Sequence, residues 1–444
     1  MVKKLLYTFI YFLSPIPIIL TLYNADPVKY GIPEVLIPMI FGAVAFSWLS
    51  WQFVVSARPK FLEKEFGMAK LYGFHGIMAV IAIAAVLIHK LLEKEGTFAT
   101  DIGGLAVAIF AGISAVTLIL MVDSKLIKLK IVRTLRDILK PVKVLHRQNY
   151  LILHNFTILG LILMFIHVML SSAAQQFLSV RLIYITYFTV GLVFYIVHRI
   201  FFAKPRARQR FQVIDVIEES PVMWTIKLKN EKGHEVKYLP GQFGFFRFFG
   251  ENVSSEKHPF SISSGGVVKE QMAVTIKNLG DFTSKVSNIK RGDKAIFDGP
   301  FGKFSYLNFP KEKETVLVAG GVGITPMLSM LRYMAEFDQD RKVLLVWGAR
   351  TESDLICKEE IEEIKKKMKF LSVVPVVGEK NEWKGIIGRV SPDLIQKYMK
   401  ENKFEAKHSG IYICGPPPMM DSIVQGLKNS NSDKFILHFE KFSL

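Results

Sequence analysis

Hydrophobic positions along this chain follow three rhythms in turn. Up to about residue 204 they run almost unbroken, in six stretches at roughly 5–23, 35–56, 71–91, 102–122, 151–171 and 182–203. Each approaches the ~20 residues a helix needs to cross ~30 Å of hydrocarbon. The first follows Lys3 and Lys4 as a signal peptide does. It has no small-residue cleavage site and five spans follow it, so a retained helix is expected. Beyond Lys204-Pro205-Arg206 the period drops to two. Residues 211–217 and 222–229 alternate as strands do, turn signals follow at Lys232-Gly233 and Pro240-Gly241, and strand-like runs continue to about residue 306. From residue 315 the order becomes strand, helix, strand: Thr315–Ala319, 326–337 and Val343–Gly348. A charged helical stretch at 358–368 and strands near 371–377 and 410–414 complete the pattern. The expected fold class is a multidomain membrane protein. A six-helix transmembrane bundle (1–205) precedes an antiparallel β-barrel domain (206–310) and an α/β domain (311–444).

Composition narrows the classes. Half of the 444 residues are hydrophobic and 35 are Phe, which excludes a disordered or collagen-like chain. Two cysteines, Cys357 and Cys414, exclude a disulfide scaffold and a four-thiolate metal site. The net charge of +18 lies largely beside the apolar segments, so a membrane surface is the expected partner and nucleic acid is not. With the N-terminus inside, segments 1–4, 57–70, 123–150 and 198–210 carry 19 Lys and Arg, against 4 in the outer loops 24–34, 90–101 and 171–181. That asymmetry fits both termini in the cytoplasm, and the expected location is the plasma membrane. The basic 123–150 loop serves either this topogenic role or as a docking surface.

Four histidines fall inside the spans: His75 and His89 in the third, His154 and His167 in the fifth. Ionisable residues there are costly and point to function by default. Their separations, 14 and 13 residues, correspond to about 21 and 19.5 Å of helix. Two such helices side by side offer two His–His pairs at two depths, the arrangement that two b-type haems need for axial ligation. The alternative is four core histidines bonded to nearby carbonyls. At ~100° per residue, 14 residues keep His75 and His89 on one face, whereas 13 residues swing His154 and His167 apart. A bulge, kink or tightening is therefore expected near Thr157–Gly160. His146 and His198 are read as interfacial, with His146 or Arg147 as contacts for a haem propionate.

His258-Pro259-Phe260-Ser261 follows Pro240-Gly241-Gln242-Phe243, and further on come Ile276-Lys277 and Gly280-Asp281-Phe282-Thr283. An aromatic face stacks on a flavin, and backbone N–H groups with a cation hold a pyrophosphate. Gly320-Gly321-Val322-Gly323-Ile324-Thr325-Pro326 ends a strand and opens a helix, a phosphate-binding turn. Cys414-Gly415-Pro416-Pro417-Pro418-Met419 follows a later strand. This ordered set resembles the ferredoxin–NADP reductase superfamily. The resemblance implies FAD on the barrel, with Ser261 near flavin N5, and Cys414 near the nicotinamide. A small buried side chain is the plain alternative for Cys414. Arg350, ending the strand Trp347-Gly348-Ala349, suits a 2′-phosphate and tilts the reading to NADPH, while Glu352 and Asp354 keep NADH open. Phe442 is the candidate aromatic shield of the flavin, ahead of Phe439; a plain terminal strand is the alternative.

Six spans with paired histidines, joined to this flavin and nicotinamide module, resemble the NADPH oxidase/ferric reductase family. The resemblance implies electron flow from cytoplasmic NADPH through FAD, then a haem on His75/His154 and one on His89/His167, to an acceptor outside. Oxygen reduction to superoxide is favoured; a ferric chelate, a quinone or a membrane redox partner are alternatives. The outer loops offer Lys90, Lys94 and Arg181 to attract an anionic acceptor. The chain departs from regulated members in having only a few residues before the first span, so no obligatory activating subunit is expected. A channel or transporter leaves the histidines and both nucleotide motifs unexplained.

Overall fold

The computed structural model describes residues 2–57, 59–93, 97–120, 130–139, 153–197, 209–253, 255–266, 268–280, 282–379, 383–430 and 435–440. The chain divides into two compact units, 1–204 and 205–443.

The first unit is helical. Among the described residues, five helices are long and apolar enough to cross a membrane: Lys3–Ala25, Pro33–Ser56, Lys70–Leu92, Phe98–Leu120 and Leu178–Val197, with mean hydropathies of 1.5 to 2.3. The fifth of the six expected spans is a shorter apolar helix, Leu153–Met169. Residues 121–122, 151–152 and 198–203 of the expected spans lie outside the described residues. The first span breaks at Ser14-Pro15, because Pro15 has no N–H to donate back to the preceding turn. Ser14 Oγ secures the break, bonding the Tyr11 carbonyl at 2.7 Å and Ser47 Oγ at 2.7 Å. The buried centre gathers Ile18, Phe46, Leu49, Ala82, Ala106, Phe110 and Leu161 from these helices.

The second unit holds two sheets. The first is six-stranded and antiparallel: β1 (Gln209–Ser220), β2 (Met223–Asn230), β3 (Phe243–Phe249), β4 (His258–Ser261), β5 (Gln271–Lys277) and β6 (Lys294–Phe301), in the order β4-β3-β6-β1-β2-β5. A bridge between Ile262 and Val274 joins its two edges. Alternate residues such as Phe211, Val213, Ile226, Leu228, Phe246, Phe248 and Phe297 fill the interior, as the period of two requires.

The other sheet is parallel: β7 (Glu314–Gly320), β8 (Lys342–Ala349), β9 (Leu371–Val377), β10 (Ile386–Ile387), β11 (Ser409–Cys414) and β12 (Ile436–Phe439), in the order β10-β9-β8-β7-β11-β12. Its strands are apolar on both faces. Leu317 and Ala319 pack on the side of helices Ile324–Phe337 and Lys358–Lys367; Val316 and Val318 pack on the side of Pro392–Glu401 and Pro417–Asn429. The chain runs outward from β7 through β8 to β10, then returns to place β11 on β7's other side. That reversal puts a crevice at the carboxyl ends of β7 and β11, where doubly wound sheets bind nucleotides.

Candidate functional site

In the helical unit the four histidines meet in the expected pairs. The rings of His75 and His154 lie 6.0 Å apart, centre to centre, and those of His89 and His167 lie 6.3 Å apart. Two imidazoles sharing one metal, with nitrogen–metal bonds of about 2 Å and ring centres about 1.1 Å behind the nitrogens, stand about 6.2 Å apart. Both pairs fit. Among the described residues no three His, Cys, Asp or Glu side chains converge as a metal site. A porphyrin would supply the remaining ligands of a metal held between two such rings.

The pairing depends on an interrupted helix. Leu153–Asn155 is helical, Phe156 forms a turn, and Thr157–Met169 resumes the helix. Around Phe156 the hydrogen bonds tighten to three residues: Phe156 N to Leu153 O at 3.0 Å and Leu159 N to Phe156 O at 2.9 Å. Thr157 Oγ1 donates to the His154 carbonyl at 2.8 Å. The interruption sits just ahead of the expected Thr157–Gly160 window, since the hydroxyl satisfies the carbonyl that the tightened turn frees. His146, Arg147 and His198 lie outside the described residues, as does Lys94.

On the barrel, β4 carries the flavin motif, held against β3 in the register Phe243↔Ser261, Gly244↔Phe260 and Phe246↔His258. His258 stacks on Phe282 at 4.0 Å, with Phe260 6.1 Å from Phe282. His258 Nε2 contacts Glu256 at 3.1 Å. Ser261 is buried, with Pro259 and Phe260 half-buried beside it. Ile276 is in the barrel core, so only its main chain is available to a ligand. The Lys277 ammonium lies 3.8 Å from Asp354. Thr283 Oγ1 accepts from the N–H groups of Leu279 and Gly280, at 2.8 and 2.9 Å, and so shapes the second motif. Asp281 is outside the described residues.

The two glycine-bearing turns meet across the crevice. A Cβ at Gly323 would stand 2.2 Å from the Cys414 carbonyl, one at Gly320 2.4 Å from Met419 Sδ and 3.0 Å from Pro416, and one at Gly415 3.1 Å from the Gly320 nitrogen. Gly321 adopts φ 53°, a conformation that glycine takes without strain. Thr325 and Pro326 are buried in the first helical turn, with Thr325 Oγ1 donating to Val322 O at 3.0 Å. Arg350 is exposed just beyond β8, its Nε 2.6 Å from Glu379 Oε1. Burial raises the Cys414 thiol pKa, and Glu440 adds to it. Burial likewise pushes Cys357 up to about 12, so neither sulfur is a thiolate at neutral pH.

Sequence reasoning missed Glu440. Its Oε2 is buried without a hydrogen-bond partner among the described residues, and burial lifts its pKa to about 8. It lies against Gly302, where a Cβ would come within 2.9 Å of Oε1. A carboxylate directly after β12 was the only available signal. Phe442, the expected flavin shield, falls outside the described residues; Phe439 ends β12, partly exposed.

Comparison with known proteins assigns the second unit. Residues 213–321 match the family described as FAD-binding domain, and residues 317–425 match the one described as oxidoreductase NAD-binding domain. The unit is thus a flavin- and NAD(P)H-binding module with the ferredoxin–NADP reductase-like fold, and the chain is an oxidoreductase. Over 237 residues it is 29% identical to the electron transfer component of 2-halobenzoate 1,2-dioxygenase from Burkholderia cepacia, covering 52% of this chain and 66% of that one. It is 32% identical to human cytochrome b5 reductase 4 over 167 residues, covering 37% of this chain and 32% of that one. A solved ferredoxin reductase of carbazole 1,9a-dioxygenase aligns at 23% identity and a TM-score of 0.45, over 53% of this chain and 69% of that one. The chain spans about two thirds of the length of the first curated relatives it matches.

Proposed function

We propose that this protein is a six-span membrane oxidoreductase of the NADPH oxidase/ferric reductase type. It moves electrons from cytoplasmic NADPH, with NADH as the alternative donor, through FAD and two b-type haems to oxygen outside, giving superoxide. The observation that carries this reading is the pair of histidine gaps, 6.0 and 6.3 Å, in a chain whose other unit binds FAD and a nicotinamide nucleotide. FAD supplies the conversion of hydride transfer into single-electron steps, and the haems supply one-electron positions within the lipid.

The chain's own residues bind and orient. His75 with His154, and His89 with His167, hold the two irons. His258, Pro259, Phe260 and Phe282 wall the flavin, with Ser261 beneath them and Ile276, Lys277, Gly280 and Thr283 at its pyrophosphate. Gly320, Gly321, Gly323, Thr325 and Pro326 present backbone N–H groups and a helix N-terminus to the nucleotide phosphates. Cys414, Gly415, Pro416 and Met419 form the facing wall, and Arg350 meets the 2′-phosphate. Glu440 holds a proton near neutral pH beside Cys414, and Phe442 covers the flavin.

The test is reduction of cytochrome c by the purified chain with FAD and NADPH, with and without superoxide dismutase, beside a ferric-chelate assay. Inhibition by the dismutase supports oxygen as acceptor. Chelate reduction without it moves the assignment to ferric reduction.

A further inference from the structure

The two histidine pairs are anchored differently. His89 Nδ1 lies 2.9 Å from the Pro38 carbonyl, and His167 Nδ1 lies 2.6 Å from the Ala99 carbonyl. A carbonyl only accepts, so each Nδ1 carries the proton and Nε2 is left as the metal-binding nitrogen. In both places the residue one helical turn beyond the acceptor is a glycine: Gly42 after Pro38, Gly103 after Ala99. A Cβ at Gly42 would stand 3.1 Å from His89 Nδ1, and one at Gly103 2.8 Å from His167 Nδ1. The rings reach main chain because no side chain is in the way. The other pair has no such arrangement: Nδ1 of His75 and Nδ1 of His154 are buried with no hydrogen-bond partner among the described residues.

We propose that Gly42 and Gly103 are positioning residues that hold the outer imidazoles as N–H donors, setting the outer haem at a lower reduction potential than the inner one. The proposal rests on the two-haem reading above. An imidazole that gives its N–H to a carbonyl is a more basic ligand, and a more basic ligand favours oxidised iron. His89 and His167 both have that bond. The outer site is therefore the stronger reductant, on the side where electrons leave.

A spectroelectrochemical titration of the purified full chain, following haem absorption, tests this. The wild type should titrate in two steps. Gly103→Ala should raise the lower step and leave the upper one in place, and Gly42→Ala, with its looser contact, should do the same to a smaller extent. Gly112→Ala is the control, because a Cβ there meets no atom within 4 Å; neither step should move. If Gly103→Ala sheds a haem, Gly42→Ala decides. Unmoved steps in a protein carrying both haems, movement of the upper step instead, or a single step described by one potential would each overturn the proposal alone. A wild type without haem absorption overturns the two-haem reading and this inference with it.

Discussion

The helical unit and the sheet unit carry their chemistry in opposite ways. In the helices it sits on four single side chains whose rings come to 6.0 and 6.3 Å. In the sheet unit it sits on turns, where the absence of side chains at Gly320, Gly323 and Gly415 lets two loops close on each other. The first kind of site depends on its ligand rings and, for the outer pair, on Gly42 and Gly103, which let those rings reach main chain. The second depends on space kept open at Gly320, Gly323 and Gly415. Loss of a ligand ring and gain of atoms on a turn should therefore damage the two units selectively.

The largest expected effect is at a ligand. His75→Ala should remove about half of the haem absorption and slow delivery to an outside acceptor by more than about 100-fold, while NADPH still reduces the flavin. Unchanged delivery would break the comparison on the helical side. Adding atoms in the other unit should do the reverse. Gly323→Val forces carbon into a space 2.2 Å from the Cys414 carbonyl, and flavin reduction should fall by about 10- to 100-fold with haem absorption intact.

A smaller effect concerns Glu440. Its pKa is raised from 4.5 to about 8, so the folded chain keeps a proton that the unfolded chain has lost. Stability from this group is then complete below about 4.5 and declines as pH rises towards 8. Thermal melts across that window should show the decline in the wild type and a flatter profile in Glu440→Gln; parallel profiles would refute the burial. The smallest effect is at the exposed Arg350–Glu379 pair. Glu379→Gln frees the guanidinium, and kcat/KM for NADPH over NADH should rise by about two- to fivefold. An unchanged ratio would remove Arg350 from the nucleotide site.

Much of this arrangement was legible from spacing. The 14- and 13-residue intervals placed four histidines at two depths and called for an irregularity in the fifth span, which Phe156 provides. The period of two and the later strand–helix alternation outlined both sheets. The partners of those residues were not legible. Pro38, Gly42, Ala99 and Gly103 meet their histidines across helices, and the burial of Glu440 comes from packing of distant segments. Contacts through space between elements leave no periodic trace. A glycine in an apolar helix reads from sequence as a weak packing residue, and only its neighbour shows what the missing side chain permits.

The contact of Gly323 with the Cys414 carbonyl and of Gly320 with Met419 also constrains protein engineering. Two turns some ninety positions apart in the chain share one wall, so neither can be exchanged for a homologous loop by itself. A chimaera that imports the donor recognition of another reductase must transplant both together, or the graft will jam against its unaltered counterpart.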